Sequence, residues 1–331
     1  MKDAHGRVID YLRISLTDRC NFRCIYCMPE DGVCQMDHEE ILRIEDIERL
    51  VRVAAGIGIK SIRLTGGEPL VRKGVIDLVD AITDIDGIEN VSMTTNGVLL
   101  PSMAEDLKRA GLSRVNISLD TLDAQQFKEV TRVGKLEDTL AGIDAALETG
   151  FDPVKINAVT VKSLDQDFLE FAKLSIDRPL HVRFIEYMPV GDSSQEGTGW
   201  GKKDVIPSED LFNIINERAE QAGLPMLESA VENPIGWGPA RYFEFPNAKG
   251  TVGFISPLSR HFCSECNRLR MTADGKIRPC LFSDTEYDAK SALKDGTDEE
   301  VREVLFQALG AKPDDHHDKI GTERGMSQIG G

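Results

Sequence analysis

The chain has 331 residues, 41% of them hydrophobic and 29% charged, which excludes whole-chain disorder and leaves room for two domains or one large α/β domain. Its formal charge of −17 repels polyanions and excludes a general nucleic-acid binder, so any anionic substrate needs a local basic pocket. No run approaches the about 18 apolar residues of a membrane span and the first residues have no apolar signal core, so the expectation is a cytoplasmic protein without membrane contact.

In chain order, apolar runs and helical periodicity predict a strand over Tyr11–Leu16, a helix over Ile44–Gly56, a strand over Ser61–Thr65 and a helix over Val75–Ile82. A strand follows over Val91–Thr95, a helix over Ser102–Gly111, a strand over Arg114–Leu119 and a helix over Leu136–Gly150. Next come a strand over Pro153–Val161, a helix over Leu164–Leu174 and a strand over His181–Tyr187. Repeated strand-helix units imply a parallel sheet with right-handed crossovers. Six units fall short of a closed barrel of eight, so an incomplete barrel and an open doubly wound sheet both fit, and in either the chemistry gathers at the C-terminal ends of the strands.

Residues Val190–Lys203, rich in Gly, Ser and Asp, read as a linker or mobile loop. A helix is expected over Ser208–Ala222 with Ser208 as its N-cap. Beyond it lie Gly/Pro turns, short strands and a hairpin turn at Ala273-Asp274-Gly275-Lys276, and the polar tail from Lys312 reads by default as disordered. The division that follows is 1–222 and 223–331.

Six of the seven cysteines fall in two groups, and in a large chain with an odd count such thiols more often hold metal or do redox chemistry than form disulfides. After the first strand, Cys20, Cys24 and Cys27 are separated by gaps of three and two residues, a spacing that lets three thiolates converge on one iron-sulfur cluster and leave one iron open. The alternative is a closed site, zinc or ferredoxin-like, with Cys34 as fourth ligand. One strand later stands Thr65-Gly66-Gly67-Glu68-Pro69, where two glycines allow close approach to the backbone and leave N–H and C=O groups unpaired.

Cys263, Cys266 and, after thirteen intervening residues, Cys280 form the second group, with the hairpin returning the third thiol to the first two. Spacing alone leaves a zinc site with His261 and an iron-sulfur site equally open. Between Arg260 and Arg278 five Lys/Arg face two acids, and Arg268 and Arg270, one residue apart on an extended strand, share a face and are placed to clamp phosphate oxygens. An anionic small molecule is the simplest partner.

The CxxxCxxC loop with Tyr26 before its third cysteine resembles the radical S-adenosylmethionine (SAM) enzymes. Leu12-Arg13-Ile14-Ser15-Leu16-Thr17-Asp18-Arg19-Cys20-Asn21-Phe22-Arg23, Ile62-Arg63-Leu64-Thr65-Gly66-Gly67-Glu68-Pro69, Thr94-Thr95-Asn96-Gly97, Cys263 and Cys266 with Asn267-Arg268-Leu269-Arg270, Cys280 and the terminal Gly-Gly together resemble one family, the MoaA-type radical SAM GTP 3′,8-cyclases of molybdenum cofactor biosynthesis. The resemblance implies an incomplete (βα)6 TIM-type barrel of the radical SAM kind with a C-terminal α+β extension carrying a second cluster. It also implies two 4Fe-4S clusters, one on Cys20, Cys24 and Cys27 with SAM and one on Cys263, Cys266 and Cys280 with substrate.

In that family a 5′-deoxyadenosyl radical abstracts the ribose 3′ hydrogen of GTP, and the carbon radical adds to guanine C8. Matched by motif, SAM contacts fall on Tyr26, Gly67, Ser118 and Met188, and GTP contacts on Arg13, Arg63, Thr94, Lys155, Arg268 and Arg270. Arg268, Arg270, Gly330 and Gly331 are the expected catalytic residues, the Gly-Gly reaching into the active site. Independently of the resemblance, Lys155 and Arg63 stand out because a long cation in an apolar strand must find an anion or reach solvent. Some relatives carry a further basic residue where this chain has Ser61. The expected partners are a reductant protein such as flavodoxin or ferredoxin and a downstream cyclic pyranopterin monophosphate synthase, with room for a homodimer. Two competing readings are a radical SAM protein acting on a peptide and a non-catalytic protein with two structural metal sites.

Overall fold

A computed structural model gives the positions of residues 1–32, 36, 37, 39–190, 200–236, 238–316 and 322–330. Cys34, Gly331 and residues 191–199 of the expected linker lie outside the described residues.

Six strands, β1 (Tyr11–Ser15), β2 (Ser61–Thr65), β3 (Asn90–Thr95), β4 (Arg114–Ser118), β5 (Val154–Thr160) and β6 (Leu180–Glu186), lie within one residue of their expected bounds. They run parallel and pair in sequence order. An order without reversal means that every crossover winds the same way, which selects the barrel type over the doubly wound sheet.

The crossovers carry α1 (Ile44–Gly56), α2 (Val75–Thr83), α3 (Leu100–Arg109), α4 (Ala124–Thr131), α5 (Leu136–Glu148) and α6 (Phe168–Asp177). Helix α3 begins two residues early, because Pro101 sits in its first turn, where a missing N–H is no loss. Helix α6 begins four residues late: Lys162–Leu164 form a 3-10 turn closed by Asp165 at φ +48°, and Asp167 then caps the helix by accepting from the Glu170 N–H at 3.2 Å. Helix α7 (Ser208–Gln221) keeps its expected span, but Pro207 holds the cap position. Ser208 instead donates its N–H and hydroxyl to Glu186 Oε1, at 2.9 and 3.1 Å, which ties the end of β6 to the helix.

The remaining chain forms β7 (Glu228–Ser229), β8 (Arg241–Glu244), β9 (Thr251–Ile255), β10 (Arg268–Met271), β11 (Lys276–Arg278), β12 (Tyr287–Asp288), α8 (Lys290–Asp295), α9 (Asp298–Gly310) and α10 (Met326–Ile329). These strands flank the six on both sides: β9 pairs parallel to β6, β10 pairs parallel to β1, and the outermost strands return antiparallel. The hairpin joining β10 to β11 turns at the expected place, with Gly275 at φ +79°, a conformation that favours glycine.

Strand alternation separates packing from chemistry. Leu12, Ile14, Ile62, Leu64, Val91, Met93, Val115, Ile117, Ile156 and Val182 are buried in the main core that the helices share. The opposite phase, with Tyr11, Arg13, Arg63, Thr65, Thr94, Ser118, Asn157 and Arg183, lines a single cavity on the other side of the sheet.

Candidate active site

That cavity encloses about 330 Å³, and both cysteine groups open into it. Around the first group, the backbone of residues 23–28 is held by the end of α4. The Arg23 N–H donates to the Thr131 carbonyl at 3.0 Å, Ile25 N–H to Val130 at 2.9 Å, and Arg132 Nη1 donates to the carbonyls of Arg23 at 3.1 Å and Met28 at 2.9 Å. From β3, Asn96 Nδ2 donates to Asn21 Oδ1 at 2.6 Å.

The Gly-Gly turn, in which Gly66 and Gly67 line the cavity, also packs against the cysteine loop. Its amides are not left for a ligand: Gly67 N–H donates to the Thr17 carbonyl at 2.7 Å and Glu68 N–H to the Arg19 carbonyl at 2.8 Å. Glycine is required because the turn lies against the cysteine loop, and a Cβ on Gly67 would fall 2.3 Å from the Arg19 carbonyl oxygen. Gly67→Ala should therefore displace the loop and lose the first cluster alone, lowering iron from about eight to about four per chain in anaerobically reconstituted protein. Full iron in that variant would contradict this packing argument.

Burial dominates the thiols of this group. It pushes Cys20 up to about 11 and Cys27 up to about 12, and it raises Cys24 further with help from its neighbours Cys27 and Asp120. Desolvated thiols of this kind become thiolates only when a positive centre joins them, which is the chemistry of an iron-sulfur donor set. Among the described residues no three His, Cys, Asp or Glu side chains draw together tightly enough to hold a single metal ion. The thiols stand instead around the cavity wall.

Tyr26 also lines the cavity; its hydroxyl donates to Asp120 Oδ2 at 2.7 Å and its ring stacks on Trp200. Burial holds Asp120 up at about 6 and Glu68 up at about 7. Glu68 accepts from the Leu70 N–H, the Asn96 N–H and the Thr95 hydroxyl. Gly67, Ser118 and Met188, matched to SAM, line the same cavity.

At the other end stand the cations. Strand register places Arg270 beside Arg13, Arg13 beside Arg63, and Tyr11 beside Arg268. The guanidiniums of Arg63 and Arg268 lie 5.5 and 5.9 Å from the Tyr11 ring centre. Burial and mutual repulsion depress these cations: Arg13 well below its ordinary value, and Arg270 to about 10 through burial first and Arg268 second. Burial opposes ionisation of the Tyr11 phenol, but Arg63, Arg13, Arg268 and Arg183 outweigh it and lower its value. Buried Arg268 Nε has no hydrogen-bond partner. Arg13, Arg63, Arg183, Arg268, Arg270 and Lys312 line the cavity against two acids, Glu68 and Asp120, an inversion of the overall charge that fits a polyanion at this end.

Only part of the local basic excess seen in sequence faces the cavity. Arg278 is buried against Glu286 at 2.6 Å and Lys276 pairs with Asp288 at 3.2 Å, while Arg268 and Arg270 face the cavity. Thr94 is a lining residue, whereas Lys155 is not; its Nζ donates to the Ile235 carbonyl at 2.8 Å.

The tail joins the two ends. The His316 N–H reaches the Cys263 sulfur, Lys312 Nζ lies 3.4 Å from the Cys266 sulfur, and the Ser327 N–H reaches the Cys27 sulfur. Arg270 Nη1 donates to the Gly330 carbonyl at 2.8 Å. Burial raises the Cys266 thiol, but Lys312 and Arg268 outweigh it and bring it below its ordinary value.

Sequence reasoning missed Arg183, Asp120, Asn157 and Lys312. Arg183 carried a usable signal, the same cation-in-an-apolar-strand argument that singled out Lys155; Lys312 carried none, because only the fold buries it.

A partial barrel with a three-thiol loop at the end of its first strand defines a radical SAM protein, and the Radical SAM superfamily model matches residues 14–175, followed by the Molybdenum Cofactor Synthesis C model over residues 180–318. Among solved structures, the chain is similar to Streptococcus suis SuiB bound to precursor peptide SuiA (TM-score 0.60, 18% identity, 92% of this chain and 67% of that chain). It is also similar to anSMEcpe with bound AdoMet (TM-score 0.57, 15% identity, 94% of this chain and 79% of that chain). Identities this low speak for the fold alone.

The particular family comes from curated relatives named GTP 3′,8-cyclase. The relative from Pelotomaculum thermopropionicum is 49% identical, that from Moorella thermoacetica 48% and that from Desulforamulus reducens 46%, each over 100% of both chains. The chain belongs to the GTP 3′,8-cyclase family of radical SAM enzymes.

Proposed function

We propose that this enzyme converts GTP to (8S)-3′,8-cyclo-7,8-dihydroguanosine 5′-triphosphate, the first step of molybdenum cofactor biosynthesis. The observation that carries the reading is one cavity with a three-thiol group at each end, acids beside the first and six cations toward the second. Cys20, Cys24 and Cys27 would hold the SAM-binding 4Fe-4S cluster, and Cys263, Cys266 and Cys280 the second, on the substrate side. With SAM bound, the first cluster would supply the one-electron chemistry that gives the 5′-deoxyadenosyl radical.

The chain's own residues bind, orient and enclose. Tyr26, Gly67, Ser118 and Met188 surround SAM, whose sulfonium suits the end that holds Asp120 and Glu68. Arg13, Arg63, Thr94, Lys155, Arg268 and Arg270 take GTP, with Arg183 added, and paired forks fix the phosphates as bidentate donors. Arg268, Arg270 and the terminal Gly330 and Gly331 complete the reacting end. Residues 1–222 form the radical SAM partial barrel, and 223–331 the C-terminal region with the second cluster, part of the GTP site and the Gly-Gly tail. A flavodoxin- or ferredoxin-type reductant and a cyclic pyranopterin monophosphate synthase are the partners, in a cytoplasm reducing enough to keep six thiols free, and a homodimer is the assembly to test.

The test is 5′-deoxyadenosine formation by anaerobic protein given SAM and a strong reductant with GTP, ATP or no nucleotide. Formation with GTP alone, together with a product of GTP's mass, is the expected result. Equal formation without nucleotide would leave the radical chemistry and remove the substrate.

Lys155 supplies a pH signature. Burial, then Arg183, Arg114 and Arg63, push its ammonium from 10.5 down to about 6. Between those values the unfolded chain carries a proton that the folded chain lacks, so stability of the GTP-free protein should rise with pH across this window, by at most about 1.4 kcal/mol per unit. Lys155→Met should remove that slope, and GTP should flatten it by restoring the ammonium opposite a phosphate. Thermal midpoints from about pH 7 to pH 9 measure both; a slope unchanged by GTP would take Lys155 out of the binding site.

A further inference from the structure

Lys312 follows α9 at the point where the sequence turns polar, yet it is only 3% exposed. Its Nζ has three neighbours: the Arg268 carbonyl at 2.8 Å, the Pro279 carbonyl at 2.9 Å and the Cys266 sulfur at 3.4 Å. An ammonium has three hydrogens to give, one for each of these acceptors. None of the three is a carboxylate. A buried cation needs an anion close by, and of these three neighbours the one that can carry negative charge is the Cys266 sulfur, with whatever group the thiols hold.

The two carbonyls matter as much as the sulfur. One belongs to the second residue after Cys266 and the other to the residue before Cys280, so a single ammonium pins the separation of two thiols that are distant in sequence. The backbone that carries Lys312 is itself fixed. Arg7, paired with Asp3 at 2.6 Å, donates to the carbonyls of Pro313 and Asp314 on the tail and of Cys263 on the cysteine turn, at 2.6, 2.7 and 2.7 Å.

We infer that Lys312 is a positioning residue for the C-terminal cluster, tying the Cys266 and Cys280 flanks together and holding up the reduction potential of that cluster by compensating its charge. The inference rests on the reading that Cys263, Cys266 and Cys280 carry a 4Fe-4S cluster. Reduction adds one electron and one negative charge to the cluster, and a fixed cation donating N–H to a ligand sulfur favours the more negative state.

The test uses the full chain, reconstituted anaerobically as parent, Lys312→Met and Lys312→Arg. Potentiometric titration followed by electron paramagnetic resonance reads both clusters, the N-terminal one identified by its response to SAM and the C-terminal one by its response to GTP. In Lys312→Met the C-terminal midpoint should move to more negative potential while the N-terminal midpoint stays, and Lys312→Arg should lie between parent and Met. Failure of the C-terminal cluster to assemble in Met, with assembly regained in Arg, would support the same role. An unchanged C-terminal midpoint in Lys312→Met would overturn it, as would equal loss of both clusters in both variants, which would assign Lys312 to folding alone. Absence of a second cluster in the parent would instead remove the reading on which the inference stands.

Discussion

Removal of Gly330 and Gly331 abolishes cyclisation and leaves both clusters in place. Gly330 lies at φ +68°, in the left-handed region, and a Cβ there would fall 2.8 Å from Thr65 Cγ2 and 3.2 Å from Ser15 Cβ. Its carbonyl accepts from Arg270. Helix α10 ahead of it is anchored by buried Ser327 and Ile329, and Ile329 packs with Val190 and Phe282. Gly330 is therefore inserted between β1, β2 and β10, beside Ser15, Thr65 and Arg270. Loss of the two glycines removes no thiol and no strand. What it removes is the acceptor that orients Arg270, a residue of the cavity lining, and misplacement of about 1 Å in such a site costs roughly 100-fold in rate. The deletion should lower turnover by about that factor or more at unchanged iron content, and Gly330→Ala should do the same through steric exclusion alone. A deletion protein with parental turnover would show that the tail only covers the site.

Much of this architecture was open to reading in the sequence, for reasons that differ between its parts. Strands β1 to β6 were legible because parallel strands buried by crossover helices are written as short apolar runs, and both cysteine groups because ligand spacing is local. Helix α9 was missed although Thr297 and Glu300 form a capping box, with the Thr297 hydroxyl accepting from the Glu300 N–H. The pairing of β9 with β6 and of β10 with β1 was not legible, since contacts between segments this far apart in the chain, His181 with Thr251 and Tyr11 with Arg268, leave no periodicity to detect. The same holds for Lys312, polar by composition and buried by topology. The Gly-Gly turn was legible only in part: its glycines line the cavity, and they also make room for the backbone of Arg19, a contact the motif does not disclose.

Replacement of Arg268 or Arg270 by alanine blocks productive GTP binding without disturbing cluster assembly, and the two losses differ in kind. Arg268 holds its guanidinium against the rings of Tyr11 and Phe262, with its Nε buried and unpartnered. Its loss removes one fork from a polyanion site that has only two acids to oppose it, so GTP affinity should fall by about 2–5 kcal/mol, or roughly 30-fold and upward. Arg270 has a second task. Besides facing the cavity it donates to the Gly330 carbonyl, so Arg270→Ala should weaken GTP binding and also slow turnover at saturating GTP. A cycle separates these effects: combined with deletion of the terminal glycines, Arg270→Ala should add much less than it costs alone, while Arg268→Ala should add nearly its full amount, because only the first pair shares an interaction. GTP binding to the anaerobic protein, followed by calorimetry, gives the affinities, and iron content checks the clusters. Unchanged affinity in both single variants would remove the arginine clamp, and additivity of Arg270→Ala with the deletion would break the link between that side chain and the tail.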